Sequence, residues 1–348
     1  MSNELAGAEG RAPHVRGSHA GTGPGVLADA LRGAMAWQHG GWPGLVQALE
    51  NAPAQVDPNG LALDGMDDVA GAAVAVDVGY RARRDNLTSG ITRFVDGTQQ
   101  TVVLGSTVTD DGQITPVVYF LGGAAVMGRD TDTRIPFTVA LDRFDGLLLP
   151  KGAQVPAGVP ASAVQRLPAD AVADLGRCID LVRARRAALE ISLTNATLAD
   201  PSFTGWLLVD GDLSELPADP RLVGVVKRVN LNVAPAPVVR AVLGLTSGQR
   251  TGAFTATYGP APRTTWFLRL RPASVGDPSI GVVRVEMTPR PVGESDRLVD
   301  EVSRWLLAER GRPGADVHNP ILMVEIVEAR LRAALPERAW LGKLFPRR

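Results

Sequence analysis

The chain contains one cysteine, Cys178, in 348 residues. A single thiol excludes an intramolecular disulfide framework and any zinc site built from several thiolates. Flanked by Leu175, Ile179 and Val182, it reads as a small core residue. An excess of either charge is missing too, since 36 basic residues face 37 acidic ones. That balance excludes a protein holding nucleic acid by bulk charge, but leaves room for a local basic groove. Aromatic side chains are scarce, and three tyrosines and six tryptophans leave little to stack sugars, which disfavours a carboxylate-pair glycosidase. No apolar run reaches the ~18 residues that span a membrane. Residues 1–25 lack the basic-then-apolar pattern of a secretory leader, and a cytoplasmic protein is expected.

What the sequence does have is ordinary for a globular chain: 45% hydrophobic residues, 21% charged, and a mean hydropathy of +0.04. This length buries a sizeable core. Residues 1–25, rich in Gly, Ala, His and Pro, are predicted to be disordered. Residues 26–90 read as a helical or irregular extension, and 91–348 as the main domain. "ITRFVDGTQQTVVLG" (91–105) suggests two short apolar strands with Asp96-Gly97 between them. With "QITPVVYFLGGAAVMG" and "IPFTVALDRFDGLLLP" it predicts an antiparallel meander. Residues 169–199 show the longest helical periodicity, and "GWLLVDG" and "LVGVVKR" read as buried strands after it. Two amphipathic helices close the chain. This order predicts an α/β fold in which a mixed sheet is flanked by helices.

Within that frame the acids draw notice. Asp96 and Asp210 each follow a strongly apolar strand, although Asp-Gly after a strand is ordinarily a turn, as expected at 64–65, 111–112 and 145–146. If the two strands are neighbours, their carboxylates share one sheet edge, where they repel each other unless a divalent cation intervenes. Oxygen-rich sites of this kind suit Mg2+ or Mn2+, ions that activate water and stabilise a phosphodiester leaving group. Glu190, in the long helix, is a third candidate whose bland alternative is a solvated helix glutamate.

These segments together resemble the NurA family of nucleases, whose core is RNase H-like (Piwi-like). "FVDGT" resembles the family's opening Asp-Gly-Ser/Thr strand, and "ALEISLTNATL…GWLLVDGDLSEL" its helix glutamate followed by a leucine-rich strand and Asp-Gly. "GVVKR" resembles its lysine strand, and "GQRTGAF", "WFLRLRP" and "VVRVEMTPRP" its later segments. The resemblance implies a Mn2+- or Mg2+-dependent DNA nuclease, dimeric, working with a hexameric HerA-type DNA-pumping ATPase in end processing for repair or in phage defence. It places Asp96, Glu190 and Asp210 on the family's metal-binding acids. It offers Lys227 as a phosphate contact, with an ordinary strand-end lysine as the alternative, and Arg250 as a further DNA-binding candidate.

One departure stands out. The family closes with a Tyr-Pro segment and a helix carrying Ala-His, whereas this chain reads "HNPILMVEIVEARL". Asn319 stands in the tyrosine's place and no histidine lies inside the helix. Glu325, Glu328 or His318 is the candidate replacement ligand, with Glu325 favoured because it lies earlier in the helix. The alternative for both glutamates is solvent and pairing with Arg330 or Arg332. The same departure favours a second functional reading, a catalytically weak subunit that adapts the ATPase to DNA ends.

Overall fold

The computed structural model describes residues 69–79, 89–108, 112–155, 159–167, 175–227, 235–258, 261–272, 279–290, 294–311 and 320–335. The expectations for residues 1–25, for most of 26–90, and for His318 and Asn319 lie outside these residues.

One mixed sheet organises the described chain. A four-residue helix α1 (Val69–Ala72) and strand β1 (Ala75–Asp77) precede the meander of β2 (Ile91–Val108), β3 (Ile114–Arg129) and β4 (Pro136–Leu149). A short β5 (Val164–Arg166) leads to the long helix α2 (Leu175–Ala199). Strands β6 (Trp206–Asp210) and β7 (Leu222–Val226) follow, then helix α3 (Ala236–Gly244). Strands β8 (Gln249–Thr251), β9 (Phe254–Tyr258), β10 (Ala261–Arg269) and β11 (Val282–Met287) complete the sheet. Helices α4 (Glu294–Ala308) and α5 (Leu322–Ala334) close it.

The strand order is β1-β8-β10-β11-β7-β6-β2-β3-β4-β5, with β9 paired to β10. Strands β2, β6 and β7 run parallel, while β3 and β11 run antiparallel to them on either side. The expected mixed sheet with flanking helices is therefore what the chain forms. Central strands here are apolar nearly throughout, because helices cover both faces. On one face Phe94, Leu208, Val223 and Val225 meet Val299, Val302 and Leu306 of α4 and Val324, Val327 and Leu331 of α5. On the other, Val95, Leu207, Val209 and Leu222 meet Phe203 and the partly buried Ile191, Leu193 and Leu198. Cys178 is fully buried beside Phe120 and Val182, as a small core residue would be.

Two expectations need correction. Residues 91–105 do not form two short strands joined at Asp96-Gly97; β2 runs unbroken through them for 18 residues. Asp96 and Gly97 pair with Ala125 and Ala124 of β3, and the one irregularity lies between Val103 and Gly105. Strand β3 gives β2 a ladder partner from Arg93 to Val108, so a dipeptide that turns elsewhere stays extended here. Asp145-Gly146 likewise lies inside β4 rather than at a turn.

The sheet ends differently on its β4 side. Strand β5 covers β4 only at Leu147–Leu149, so the stretch from Pro136 onward is paired with β3 alone. Ile135, Phe137 and Val139 are exposed there, unusual for large apolar residues at a strand edge.

Candidate functional site

Strand register brings the two aspartates together. Val95 of β2 pairs with Val209 of β6, which places Asp96 and Asp210 one step on in adjacent parallel strands. Asp210 in turn pairs with Val225 of β7, and Lys227 follows two residues later. Alternation sends Asp96 to the same face as Phe94, the face covered by α5. There Asp96 is 3% exposed. Its Oδ1 accepts a 2.7 Å hydrogen bond from the Gly97 amide, whereas its Oδ2 is buried with no hydrogen-bond partner.

Gly97 belongs to the opposite face, under α2, and its lack of a side chain is what admits Glu190. A Cβ on Gly97 would stand 1.9 Å from Glu190 Oε1 and 3.0 Å from Arg186 Cγ. Glu190 thus leans over the strand at the one position without a side chain. Arg186, one helical turn earlier, holds it: Nη1 lies 3.4 Å from Glu190 Oε1 and donates to the Gly97 carbonyl at 3.3 Å. The inner stripe of α2 is more polar than its periodicity suggested. Thr194 and Thr197 are buried on it, whereas Ala196 is exposed.

The electrostatics follow from this crowding. Burial first, then Asp210, Glu190 and Glu328, push the Asp96 carboxyl well above the usual carboxylate range, with Lys227 opposing. Burial raises Glu190 to about 7; Arg186 opposes and Asp210 adds to the rise. Lys227 Nζ sits 2.7 Å from Asp210 Oδ2 with both side chains largely buried. Burial works against that ammonium, but Asp210 and Asp96 outweigh it, and its affinity for the proton is raised.

A pH dependence follows. Glu190 binds its proton more tightly folded than unfolded, so its contribution favours the native state at low pH. That contribution is lost as pH rises from about 4.5 towards 7. At about 1.4 kcal/mol per pH unit, the loss approaches ~3 kcal/mol over that window. Urea midpoints of the metal-free protein should show Glu190→Gln gaining on the wild type as pH rises through it. Parallel curves would mean that Glu190 is not a buried, destabilised acid.

Of the closing-helix candidates, Glu328 is the one whose charge acts on Asp96 and Lys227. Its carboxylate also pairs with the exposed Arg332 at 2.8 Å. Glu325, favoured from its place in the sequence, is not among the groups acting on either residue. Arg250 lies inside the fold. It is 4% exposed, its Nε is 2.8 Å from Asp300 Oδ1 and its Nη1 donates to the Thr251 carbonyl, so the guanidinium is committed to the fold rather than offered to DNA.

The segment after Asp210 is fastened from beneath. Gly211 takes a φ of +143°, a value that favours glycine, and its amide donates to the Val225 carbonyl. Fully buried Glu286 accepts from the Leu213 amide at 3.0 Å, and fully buried Arg263 donates to the Leu213 and Leu216 carbonyls at 2.7 Å. Sequence reasoning did not single out Arg186, Gly97, Glu286 or Arg263 for the site. Only the Arg186–Glu190 spacing of four carried a readable signal.

Among the described residues no three His, Cys, Asp or Glu side chains form a ready ligand group. The donors nevertheless suit a hard divalent ion: every one is a carboxylate oxygen, and buried Asp96 Oδ2 has no other partner. Asp96, Asp210, Glu190 and Glu328 are the residues that would hold it. Three of them are at present engaged, Asp210 by Lys227, Glu190 by Arg186 and Glu328 by Arg332.

Fold and site together define a helix-flanked mixed sheet with an acidic cluster where β6 ends beside the middle of β2. No family model and no curated protein matches the sequence. Among solved structures the chain is similar to the crystal structure of the NurA nuclease from Sulfolobus solfataricus. The two share 12% sequence identity over 71% of this chain and 81% of that one, with a TM-score of 0.42.

Proposed function

We propose that this chain is a metal-dependent deoxyribonuclease that processes DNA ends. The observation that carries the reading is Asp96, a buried carboxylate with a partnerless oxygen, crowded by Asp210, Glu190 and Glu328. A fold tolerates such an acid when its charge is used, and a bound cation is the usual use. When bound, Mn2+ or Mg2+ would activate water and stabilise the leaving oxygen of a phosphodiester. Asp96 and Asp210 would supply the fixed carboxylate oxygens, Glu190 would approach through the gap at Gly97, and Glu328 would complete the set from α5. Lys227, paired with Asp210 at 2.7 Å, would meet a phosphate once that pairing is broken.

The partners belong to the same proposal and rest on the sequence resemblance: DNA, a HerA-like hexameric translocase, and a role in end resection, repair or phage defence. A homodimer is part of it, and the exposed Ile135, Phe137 and Val139 on the open stretch of β4 support a second copy there. Sedimentation at the mass of one chain across micromolar concentrations would remove the dimer from the proposal.

The test is degradation of end-labelled linear DNA, single- and double-stranded, in Mn2+, Mg2+ and EDTA. Cleavage should require a divalent ion and vanish in Asp210→Ala. A second reading, a subunit that adapts a translocase without cutting, draws on the two acids engaged by Lys227 and Arg186. Absence of cleavage in either ion, with a hexameric ATPase still bound, would favour it.

A further inference from the structure

Lys227 occupies a place where a phosphate-binding lysine has no obvious business. Its ammonium is turned inward onto Asp210 Oδ2 at 2.7 Å, with 16% of the side chain exposed, and its charge also acts on Asp96 and Glu328. It is thus the positive charge facing three of the four clustered acids, and Arg186 faces the fourth. Among the described residues no three acids form a ready ligand group, and the ammonium lies against one oxygen of Asp210. Asp210 closes β6 directly before Gly211, and its Oδ2 must lose the lysine before that oxygen can ligate an ion.

We propose that Lys227 is an internal counter-cation that a divalent ion displaces: the lysine holds Asp210 in the metal-free chain and is released toward the rim when the ion binds. The inference rests on the nuclease reading of this site. It adds that metal affinity is set by competition with a residue of the chain itself. Two cations of like sign cannot share one buried carboxylate without repulsion, so each weakens the other's hold by the same factor. Release also couples the two roles of the lysine, because the ammonium becomes available for a phosphate when the ion is in place.

The experiment measures Mn2+ binding directly, by calorimetry and by the electron paramagnetic resonance signal of free Mn2+, on full-length wild type, Lys227→Met and Lys227→Arg. Competition predicts that Lys227→Met binds Mn2+ about ten-fold tighter or more, whereas Lys227→Arg, which keeps the charge, stays within about three-fold of wild type. Saturating Mn2+ should also raise the melting temperature of Lys227→Met more than that of wild type, since the variant has lost its internal cation. A reading on the unmutated chain covers a variant that fails to fold. Acetylation of Lys227 by an N-hydroxysuccinimide ester, followed by mass spectrometry, should rise several-fold when Mn2+ is added. Wild type that binds Mn2+, with affinity unchanged in Lys227→Met, overturns the exchange and leaves the nuclease reading standing. For a variant that does not fold, no rise in acetylation on Mn2+ binding has the same meaning. Wild type that binds neither Mn2+ nor Mg2+ overturns both.

Discussion

Asp96→Asn will abolish metal-dependent DNA cleavage and make the metal-free protein more stable. The two effects have one cause. Asp96 is 3% exposed, one of its oxygens has no partner, and three further acids crowd it. Its ionised form is therefore held against both desolvation and repulsion, and a neutral amide of the same shape relieves both. A gain of ~1–2 kcal/mol in EDTA is expected from that relief. The same change removes a central candidate ligand from the middle of β2, and a loss of about three orders of magnitude in cleavage is appropriate. Added Mn2+ should stabilise the wild type and leave the variant nearly unmoved. Near-wild-type cleavage by Asp96→Asn, or a clear drop in its melting temperature without metal, would show that the acid serves the fold instead.

Gly97→Ala is expected to cost nearly as much activity while deleting no functional group. The added Cβ would lie 1.9 Å from Glu190 Oε1 and 2.8 Å from its Cδ, so the carboxylate must move. What it meets is the far end of a flexible side chain, so the chain can respond by swinging Glu190 aside. The structural cost should accordingly stay near ~1–2 kcal/mol. Cleavage should fall about a hundred-fold, because a displaced ligand misaligns the reacting atoms. A second substitution separates position from presence: Glu190→Gln on the Gly97→Ala background should add little further loss, since both act through one carboxylate. Full additivity of the two losses would mean that Gly97 matters for another reason.

Much of this arrangement was legible because the sheet and helices follow apolar periodicity. The amphipathic pattern of the closing helix is one such case: Met323, Val327, Leu331 and Leu335 are buried and Ile326 is partly so. Asp96 and Asp210 stand out in their segments, and the register of β2, β6 and β7 sets them in adjacent strands near Lys227, while Glu190 comes from α2 over Gly97. Other features depended on partners that a linear reading does not contain. Asp96-Gly97 looks like a turn until β3 is laid beside it. Arg250 looks available until Asp300, fifty residues away, claims it. The choice between Glu325 and Glu328 is a matter of helix phase against the sheet, and a spacing of three residues does not settle phase. Gly97 carries no signal of its own, since its meaning is the space it leaves for a helix some ninety residues on.

The unbroken course of β2 bears on how the cluster can change shape. Asp96 lies well inside an 18-residue strand, paired with Ala125 of β3 one step beyond the last β2–β6 pair, whereas Asp210 is the last residue of a five-residue strand. Opening the amide of Asp96 to solvent means undoing the centre of the sheet, while β6 can fray at its end by a local fluctuation. Amide protons around Asp96 should consequently exchange at rates governed by global unfolding, and those of Gly211 and Asp212 through smaller, faster openings that stop at the anchored Leu213. The cluster thus has one immobile post and one hinged one, and any tightening around a ligand is made by Asp210 and the helix acids moving toward Asp96.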